Sequence, residues 1–551
     1  MIDFNKLSAA NREKIINNIS EREFDVLIFG GGITGAGIAL DAASRGLNTL
    51  LIEQNDFAFG TSSRSTKLIH GGLRYLEKLQ LNFVAKLGRE RKILHDNITH
   101  NVIPAKVVLP IISGGKLNRI LTFFALKIYD TLAGVKKEYR STWIKKEHLS
   151  GKYPFLKTKG LKGGFLYYEY KTNDARLVIE ILKTANEYNA NMLNYNNLNK
   201  LTYSNGKVNG AEIFDTVLQK KYTVKAKYII NATGPWCENF ANNFDTGLPK
   251  SLFPTKGVHI VVSKQKFPVN DAFYFDTHDK RMIFVIPRQN YIYIGTTDTP
   301  FSADLNNPLV ENKDAEYLLK AVNNTFTQIN LKIQDIISCW AGVRPLIGNK
   351  GKTPDEISRK DEMFVSKTGL ISITGGKLTG YRLMAKKVVD NILKDNKKFL
   401  KCYTDKIKIS GSKWIQPPDL VKLVETADHK FDEAKQTGIS SDEFKKLFYR
   451  YGTNIDIITE KAYELLSEYK NPEQLWLKAE IWYSINYEMT STIADFCIYR
   501  TEMILFEPEK VEKYLFFIAE CIAEFLLWNK EKKQKNINIF KDLKMQYKIT
   551  L

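Results

Sequence analysis

The chain has 551 residues, of which 44% are hydrophobic and 26% charged, the balance of a globular protein. This length exceeds one ordinary core and predicts two or three domains. The 81 basic and 61 acidic residues give a net charge of +20, which favours anionic partners such as phosphate compounds, acidic lipid headgroups or nucleic acid. No apolar run of about 18 residues occurs, so we expect no membrane-spanning helix. Residues 1–23 lack the apolar core of a secretory signal.

The five cysteines lie far apart in the chain and form no CxxC pair. This spacing supports neither a zinc site nor a redox dithiol, and we predict no metal. We expect five reduced and mostly buried thiols in a cytosolic protein.

A dinucleotide-binding pattern opens the fold. Residues 25–29 are predicted to form a buried strand that enters Gly30-Gly-Gly-Ile-Thr-Gly35. Residues 33–45 have the spacing of a helix, and residues 48–52 form a second strand that ends at Glu53. Strand, helix, strand and acid in this order predict a Rossmann-like unit.

Each residue type in this loop has a physical task. Gly30 permits the tight turn, Gly32 lets the backbone approach a pyrophosphate, and Gly35 lets helix and strand pack closely. The helix directs its positive end at the phosphates. Glu53 is placed to accept hydrogen bonds from ribose hydroxyls, and its charge disfavours the 2′-phosphate of NADP.

Two later segments favour FAD over NAD. Gly60-Thr-Ser-Ser63 supplies hydroxyls for a pyrophosphate and a ribityl chain. Thr374-Gly-Gly-Lys377 opens a helix, and a helix N-terminus with a lysine suits the electron-rich edge of a reduced isoalloxazine.

The chain as a whole reads as an α/β protein with three parts. We predict an N-terminal segment (1–20), then a Rossmann-like FAD-binding domain (21–395) with an interleaved antiparallel β-sheet substrate domain, drawn mainly from residues 95–365. A linker (396–420), marked by Ser410-Gly-Ser412 and Pro417-Pro418, precedes a C-terminal all-helical domain (421–551). Its last part, from residue 529, is basic and polar, and we expect it to fray.

Several motifs resemble the FAD-dependent glycerol-3-phosphate dehydrogenases. The long segment from Gly60 to Glu77 is similar to the signature of this family. Further matches follow in family order over about residues 20–395: Ala232-Thr-Gly-Pro-Trp236, Lys256-Gly-Val-His259, Gly295-Thr-Thr-Asp298, Ala341-Gly-Val-Arg-Pro-Leu346 and Gly375-Gly-Lys-Leu-Thr379. Two positions depart from the family pattern: Gly380 replaces a hydroxyl residue, and Tyr499-Arg-Thr501 stands where relatives often carry paired arginines.

The resemblance implies an enzyme that oxidises sn-glycerol 3-phosphate to dihydroxyacetone phosphate and passes the electrons to a quinone. It also implies a cytoplasmic protein attached peripherally to the inner face of the cytoplasmic membrane. A related oxidase, which uses dioxygen and makes hydrogen peroxide, is the alternative. The sequence leaves a homodimer open.

Residue chemistry and resemblance together predict the FAD contacts. They are Gly30, Gly32, Ile33, Thr34, Gly35, Glu53, Thr61, Ser62, Ser63, Lys67, Leu68, His70, Gly71, Gly234, Gly376, Lys377, Leu378 and Thr379.

Alcohol oxidation by a flavin needs a phosphate clamp and a proton acceptor. Arg74 and Arg344 are the leading phosphate ligands because the guanidinium fork pairs with phosphate oxygens, and Arg344 is the alternative group for polarising the C2 oxygen. His70 is the predicted general base, since an imidazole titrates near neutrality. Tyr75 either donates to a substrate oxygen or packs, and Lys377 contacts the flavin or the phosphate.

Two further features allow two interpretations each. His259 and Asp298 resemble family positions: each either makes a direct contact in the site or has a structural role, His259 as a hydrogen-bonded strand residue and Asp298 as a turn cap. Phe123-Phe124, in the predicted helix 119–132, suits a membrane contact or a buried helix.

A flavoprotein that binds or modifies RNA is the competing functional class, because the net charge permits it. The basic residues are spread along the chain and no RNA-binding motif occurs, so we expect no specific nucleic-acid partner.

Overall fold

A computed structural model describes residues 6–71, 81–132, 135, 137–277, 279–348, 360–395, 400–413 and 420–549. The strands within these ranges are β1 (Glu23–Phe29), β2 (Thr49–Ile52), β3 (Leu68–Ile69), β4 (Ile103–Ile112), β5 (Thr142–Lys145), β6 (Leu161–Lys171), β7 (Asn191–Leu193), β8 (Asn196–Ser204), β9 (Lys207–Asp215), β10 (Lys220–Asn231), β11 (Ser251–Ser263), β12 (Ala272–Asp276), β13 (Met282–Arg288), β14 (Tyr291–Gly295), β15 (Thr299–Pro300), β16 (Ile336–Gly348), β17 (Asp361–Val365) and β18 (Ile371–Gly375).

The helices in the same ranges are α1 (Arg12–Ser20), α2 (Ile33–Ser44), α3 (Leu81–Asn97), α4 (Arg119–Leu132), α5 (Lys146–Lys152), α6 (Asp174–Glu187), α7 (Cys237–Phe244), α8 (Asn312–Thr325), α9 (Tyr381–Asp395), α10 (Leu420–Ala434), α11 (Ser441–Tyr451), α12 (Ile455–Glu464), α13 (Pro472–Tyr487), α14 (Met503–Phe506), α15 (Pro508–Phe525) and α16 (Lys530–Lys544).

The first sheet is the nucleotide-binding sheet, in the order β17-β18-β10-β1-β2-β7. Its central pairs, β1 with β2 and with β10, and β10 with β18, are parallel. The central strands β1 and β2 are buried almost throughout because α2 covers one face, as parallel sheets require. Parallel strands bring their carboxyl ends to one edge, and this edge is where the site forms.

The second sheet is largely antiparallel and follows the order β15-β11-β14-β13-β12-β4-β6-β3, with β16 on β11 and β5 on β6. Its long β11–β16 ladder runs from Ser251 paired with Gly348 to Val262 paired with Ile336. Most of its strands come from the expected interval 95–365, but β7 to β10 and β17 in that interval join the first sheet instead. The chain therefore interleaves the two sheets, in agreement with the predicted fold class.

The C-terminal helices begin with α10, and the part from α13 onward shares a buried cluster with the nucleotide-binding sheet. Ile493, Phe496 and Ile522 belong to the same buried cluster as Ile28 and Ile230 of the first sheet. The expected fraying after residue 529 is wrong: α16 is a regular helix, and Ile537 and Phe540 are buried. Their spacing of three residues places both on one helical face, which the polar composition concealed.

No helix among the described residues has the length and apolar character needed to cross a bilayer. The five cysteines are buried and form no disulfide, as the sequence predicts.

Candidate functional site

One cavity of about 730 Å³ lies at the carboxyl edge of the first sheet. Residues that follow β1, β2, β10 and β18 line one part of it, and strands of the second sheet line the other. Its volume is that of a small-molecule or cofactor site. Its position outside the carboxyl ends of parallel strands is where α/β sheets bind ligands.

The predicted dinucleotide cradle has the expected geometry. Gly30 has a φ of +111°, and a Cβ there would lie 2.5 Å from the Ala232 carbonyl oxygen. A Cβ on Gly35 would overlap the Gly30 backbone, so this glycine lets α2 pack on the loop. Gly32 faces the cavity, and the Ile33 amide at the start of α2 donates to Ser62 Oγ at 2.9 Å. The loop thus presents open backbone and a helix N-terminus, which fit a pyrophosphate.

Glu53 lies at the end of β2 in the cavity wall. Its carboxylate accepts hydrogen bonds from the Gly31 amide at 2.6 Å and the Asn55 amide at 2.8 Å. Burial raises the pKa of Glu53 to about 7 despite these bonds. The carboxylate has further lone pairs that are available to hydroxyl donors.

The predicted cofactor residues divide into two groups. Those that line the cavity are Gly30, Gly32, Ile33, Thr34, Glu53, Thr61, Ser62, Leu68, His70, Gly234, Gly376, Lys377, Leu378 and Thr379. Gly35, Ser63, Lys67 and Gly71 lie behind this wall and hold it from outside.

Lys67 and Gly71 fix the segment between them by buried polar contacts. Lys67 Nζ lies 2.7 Å from the Asp174 carboxylate and donates to the Ser63 carbonyl at 3.0 Å. The Gly71 amide donates to the Tyr129 hydroxyl at 3.0 Å, and Tyr129 in turn donates to Glu169. The segment between Lys67 and Gly71, which includes His70, is therefore held at both ends.

Arg344 points toward the cavity from β16. Its Nη1 donates to Asp298 Oδ1 at 3.1 Å and to the Thr297 carbonyl at 3.3 Å, and its Nη2 donates to Thr296 Oγ1 at 3.1 Å. The guanidinium lies directly over Gly257 of β11, where any Cβ would overlap Nη2. Sequence reasoning did not assign Gly257 a role, although it lies within the quoted motif Lys256-Gly-Val-His259.

His259 both lines the cavity and is fixed by its neighbours. Its Nε2 lies 3.1 Å from Thr66 Oγ1, and its ring stacks on Trp340 with centroids 4.7 Å apart. Its Nδ1 is buried and has no hydrogen-bond partner among the described residues. Burial, reinforced by the charges of Arg344 and Lys67, lowers the pKa of His259 well below its usual value. This imidazole is neutral at physiological pH.

His70 is half-buried in the cavity wall. Its ring meets the edge of Phe284 at 6.5 Å, and its carbonyl accepts from Thr379 Oγ1 at 3.3 Å. The structure thus brings His70, His259, Arg344 and Lys377 around one cavity. The predicted substrate residues Arg74 and Tyr75 lie outside the described residues.

The comparisons with known proteins match two regions of the chain. Residues 25–382 match the family model of the FAD dependent oxidoreductases. Residues 402–533 match the C-terminal domain of alpha-glycerophosphate oxidase.

Two similar proteins are the aerobic glycerol-3-phosphate dehydrogenases of Staphylococcus epidermidis and Bacillus subtilis. The first is 44% identical over 96% of this chain and 95% of its own length. The second is 42% identical over 96% of each chain. A crystal structure of the glycerol-3-phosphate dehydrogenase from Bacillus halodurans complexed with FAD has a TM-score of 0.84 at 36% identity, and the match covers 98% of both chains.

The chain belongs to the FAD-dependent glycerol-3-phosphate dehydrogenase family. The predicted family, fold class and cofactor are thereby confirmed. L-alpha-glycerophosphate oxidase from Mycoplasma pneumoniae, at 16% identity and a TM-score of 0.55 over 68% of this chain and 95% of its own, shares the fold.

Proposed function

We propose that this member of the glycerol-3-phosphate dehydrogenase family oxidises sn-glycerol 3-phosphate to dihydroxyacetone phosphate in the cavity between the two sheets. The observation that carries the proposal is the meeting of the dinucleotide cradle with His70, Arg344 and Lys377 around one cavity. The names of the similar dehydrogenases support the same substrate.

The cationic residues suit the phosphate of this substrate. Arg344 is held by Thr296, Thr297 and Asp298, so its fork is oriented before substrate arrives. Preorganised hydrogen-bond donors cost little ordering entropy on binding. Lys377 adds a second cation at the start of the turn that leads into α9. Arg344 either clamps the phosphate or polarises the C2 oxygen.

The reaction removes a hydride from C2 and a proton from its hydroxyl. Bound FAD supplies the acceptor for the hydride. We assign the proton to the His70 imidazole, because His70 is half-buried whereas His259 is fully buried. The lowered pKa of His259 makes it a weak proton acceptor. His259 instead suits a neutral hydrogen-bonding role.

Anaerobic mixing tests this function. The purified protein should be yellow and should bleach on addition of sn-glycerol 3-phosphate without added nicotinamide, whereas glycerol lacks the phosphate and should bleach it far more slowly. His70→Ala should keep its flavin and lose most of the reduction rate, by about 10² to 10⁴-fold for a general base. Bleaching of this variant at the wild-type rate would contradict the assignment of His70.

A membrane quinone is the proposed electron acceptor, reduced to the quinol by two electrons and two protons, the number that the oxidised alcohol gives up. The alternative acceptor is dioxygen, which would yield hydrogen peroxide. Oxygen consumption and the reduction of a soluble quinone analogue, measured on the same preparation, separate the two: fast quinone reduction with slow oxygen uptake supports the dehydrogenase.

The outer face of α4 supports attachment to a membrane surface. Ile120, Leu121, Phe124 and Ile128 are 40–72% exposed on this helix. The surrounding residues 112–162 carry 12 basic and 3 acidic residues, a net charge of +9 within the total of +20. An exposed apolar helix face within a basic surface is typical of helices that lie in anionic bilayer interfaces. The buried-helix interpretation applies only to the opposite face.

Vesicle flotation tests this attachment. We expect the protein to bind vesicles that contain phosphatidylglycerol more strongly than neutral vesicles, and Phe124→Glu to weaken binding. Phe516→Glu is the matched control because Phe516 is 65% exposed on α15, far along the chain from this surface. Equal loss of binding in both variants would contradict the role of α4.

A further inference from the structure

The segment between α13 and α14 joins the C-terminal domain to the cofactor site. Residues Asp495–Arg500 form a single π-helical stretch, and all six are buried. π-Helical turns are uncommon and often occur at functional sites. Glu502 follows with a φ of 56°, a left-handed conformation that side-chain-bearing residues rarely adopt, and it is 1% exposed.

Arg500 contacts the beginning of residues 56–67, the segment called the cofactor-binding loop from here on. Its Nη1 lies 2.6 Å from Asp56 Oδ2, and its Nη2 lies 2.9 Å from Asp56 Oδ1. This is the two-point geometry in which a guanidinium binds a carboxylate most specifically. Asp56 lies three residues after Glu53, and both members of the pair are buried.

Glu502 contacts the other end of the same loop. Its Oε1 lies 2.6 Å from Lys67 Nζ, and both side chains are at most 2% exposed. Its Oε2 lies 2.5 Å from Arg288 of the second sheet. Lys67 also pairs with Asp174 at 2.7 Å, so one lysine connects the loop to α6 and to the C-terminal domain.

The two anchored positions enclose the residues that face the cofactor. Thr61, Ser62 and Thr66 lie between Asp56 and Lys67 and line the cavity, and His70 follows three residues after Lys67. A chain held at both ends has fewer conformations to lose when a ligand binds. We propose that the C-terminal domain positions the cofactor-binding loop through Arg500 and Glu502, which act as positioning residues for FAD.

The charges of Lys67 and Glu502, which form the second contact to the loop, reinforce each other. Burial on its own would lower the pKa of Lys67, but Asp174 and Glu502 outweigh it and raise this pKa. Burial on its own would raise the pKa of Glu502, but Arg288 and Lys67 outweigh it and lower this pKa. Both groups are therefore charged in the folded protein, and the removal of one leaves the other poorly compensated.

The test is the FAD affinity of the Glu502→Gln variant of the full chain. The substitution keeps the shape and removes the charge. We expect the dissociation constant of FAD, measured by flavin fluorescence on the stripped protein, to rise about tenfold, the usual scale for a lost charged hydrogen bond. The gain in Tm on FAD binding should shrink, and activity should return when excess FAD is added.

Glu524→Gln is the matched control. It removes the partner of Lys478, which lies 2.9 Å away within the same helical domain and does not contact the loop. We expect unchanged FAD affinity. Should Glu502→Gln not fold, Arg500→Lys, which keeps the charge without the fork, takes its place in the same measurements.

If Glu502→Gln binds FAD with wild-type affinity, and only the Tm of its stripped form is lowered, the proposal is overturned. Glu502 and Lys67 then form a structural ion pair only. The measurement reads FAD binding alone, so an incorrect substrate or electron acceptor would leave its outcome unchanged.

Discussion

At Gly257 the absence of a side chain decides where the Arg344 guanidinium lies. A Cβ at this position would overlap Nη2 and come within 2.7 Å of Thr296 Oγ1. The nearest atom is the end of a flexible side chain, so Gly257→Ala should fold and displace Arg344. We expect kcat/KM for glycerol 3-phosphate to fall about tenfold to a hundredfold, as for other small misplacements of a positioning group, while FAD remains bound.

Steady-state kinetics and the FAD-to-protein absorbance ratio check this prediction. Gly151→Ala is the control, because a Cβ there meets no atom within 4 Å, and we expect its kinetics to match wild type. A wild-type kcat/KM for Gly257→Ala would show that the position of Arg344 does not matter for substrate.

Glu53 should make FAD binding depend on pH. Burial raises its pKa to about 7 in the FAD-free protein, whereas ribose hydroxyls donate more strongly to the ionised form and lower this pKa on binding. FAD binding therefore releases a proton, and affinity should increase as the pH rises through about 7 and level off above it. In the FAD-free protein the same group favours folding below its unfolded pKa of 4.5, and that contribution is lost as pH rises through about 7.

Titration of the stripped protein with FAD between about pH 5.5 and about pH 8.5 measures this linkage. Glu53→Gln cannot ionise, so its affinity should be weaker at high pH and nearly independent of pH across the range. Parallel curves for wild type and variant would exclude Glu53 as the titrating group.

At the scale of elements, α4 has two opposite roles. Its outer face exposes apolar side chains, and its inner face carries Tyr129, whose hydroxyl accepts from the Gly71 amide at 3.0 Å and from Arg91 at 2.6 Å. The helix is therefore the connection between the proposed membrane surface and the residue that follows His70.

Tyr129→Phe should leave the Gly71 amide and Arg91 without this buried partner. An unsatisfied buried group costs about 1–3 kcal/mol, so we expect a slower flavin reduction by substrate, about tenfold, with FAD retained. Stopped-flow absorbance under anaerobic conditions measures the rate. Tyr317→Phe, which removes a more exposed hydroxyl bonded to Asp279 at 3.1 Å, should reduce at the wild-type rate; equal rates for all three proteins would contradict a role for Tyr129.

The sequence predicted the elements whose periodicity is local. The β1-α2-β2 unit and α4 have the expected types because each depends on residues within its own segment. The order of glycines in Gly30-Gly-Gly-Ile-Thr-Gly35 likewise predicted the cradle, since turn geometry is a local property.

Contacts between distant residues could not be predicted in this way. Lys67 was expected at the cofactor, but its partner Glu502 is 435 positions away, and no local pattern records that pairing. The position of Arg344 over Gly257 depends on the register of β11 and β16, which only the folded sheet defines. The same reason explains why α16 was expected to fray: its buried face needs a tertiary partner.

At the scale of the whole molecule, a buried cluster of charges unites the C-terminal domain with the nucleotide-binding domain. Arg176 of α6 donates to Glu488 Oε2 at 3.0 Å and to the Arg500 carbonyl at 2.9 Å. Lys183 of the same helix lies 3.2 Å from Glu488 Oε1. Because these groups are desolvated, the cluster stabilises the assembled molecule only while all its members are present.

Glu488→Gln should therefore destabilise the whole protein, by about 3–5 kcal/mol for a broken buried pair. Burial on its own would raise the pKa of Glu488, but Arg176 and Lys183 outweigh it and lower the pKa to about 2. A carboxyl group whose pKa is lower in the folded state contributes stability above its unfolded pKa of 4.5 and loses it as the pH falls toward 2. The stability difference between wild type and variant should thus be constant near neutral pH and shrink below about pH 5.

Urea unfolding at several pH values, followed by tryptophan fluorescence, measures this stability difference. Glu524→Gln, whose carboxylate is 54% exposed, should change stability little, as surface pairs do. A difference that does not vary with pH would show that the charge of Glu488 does not contribute to the stability of the assembled molecule.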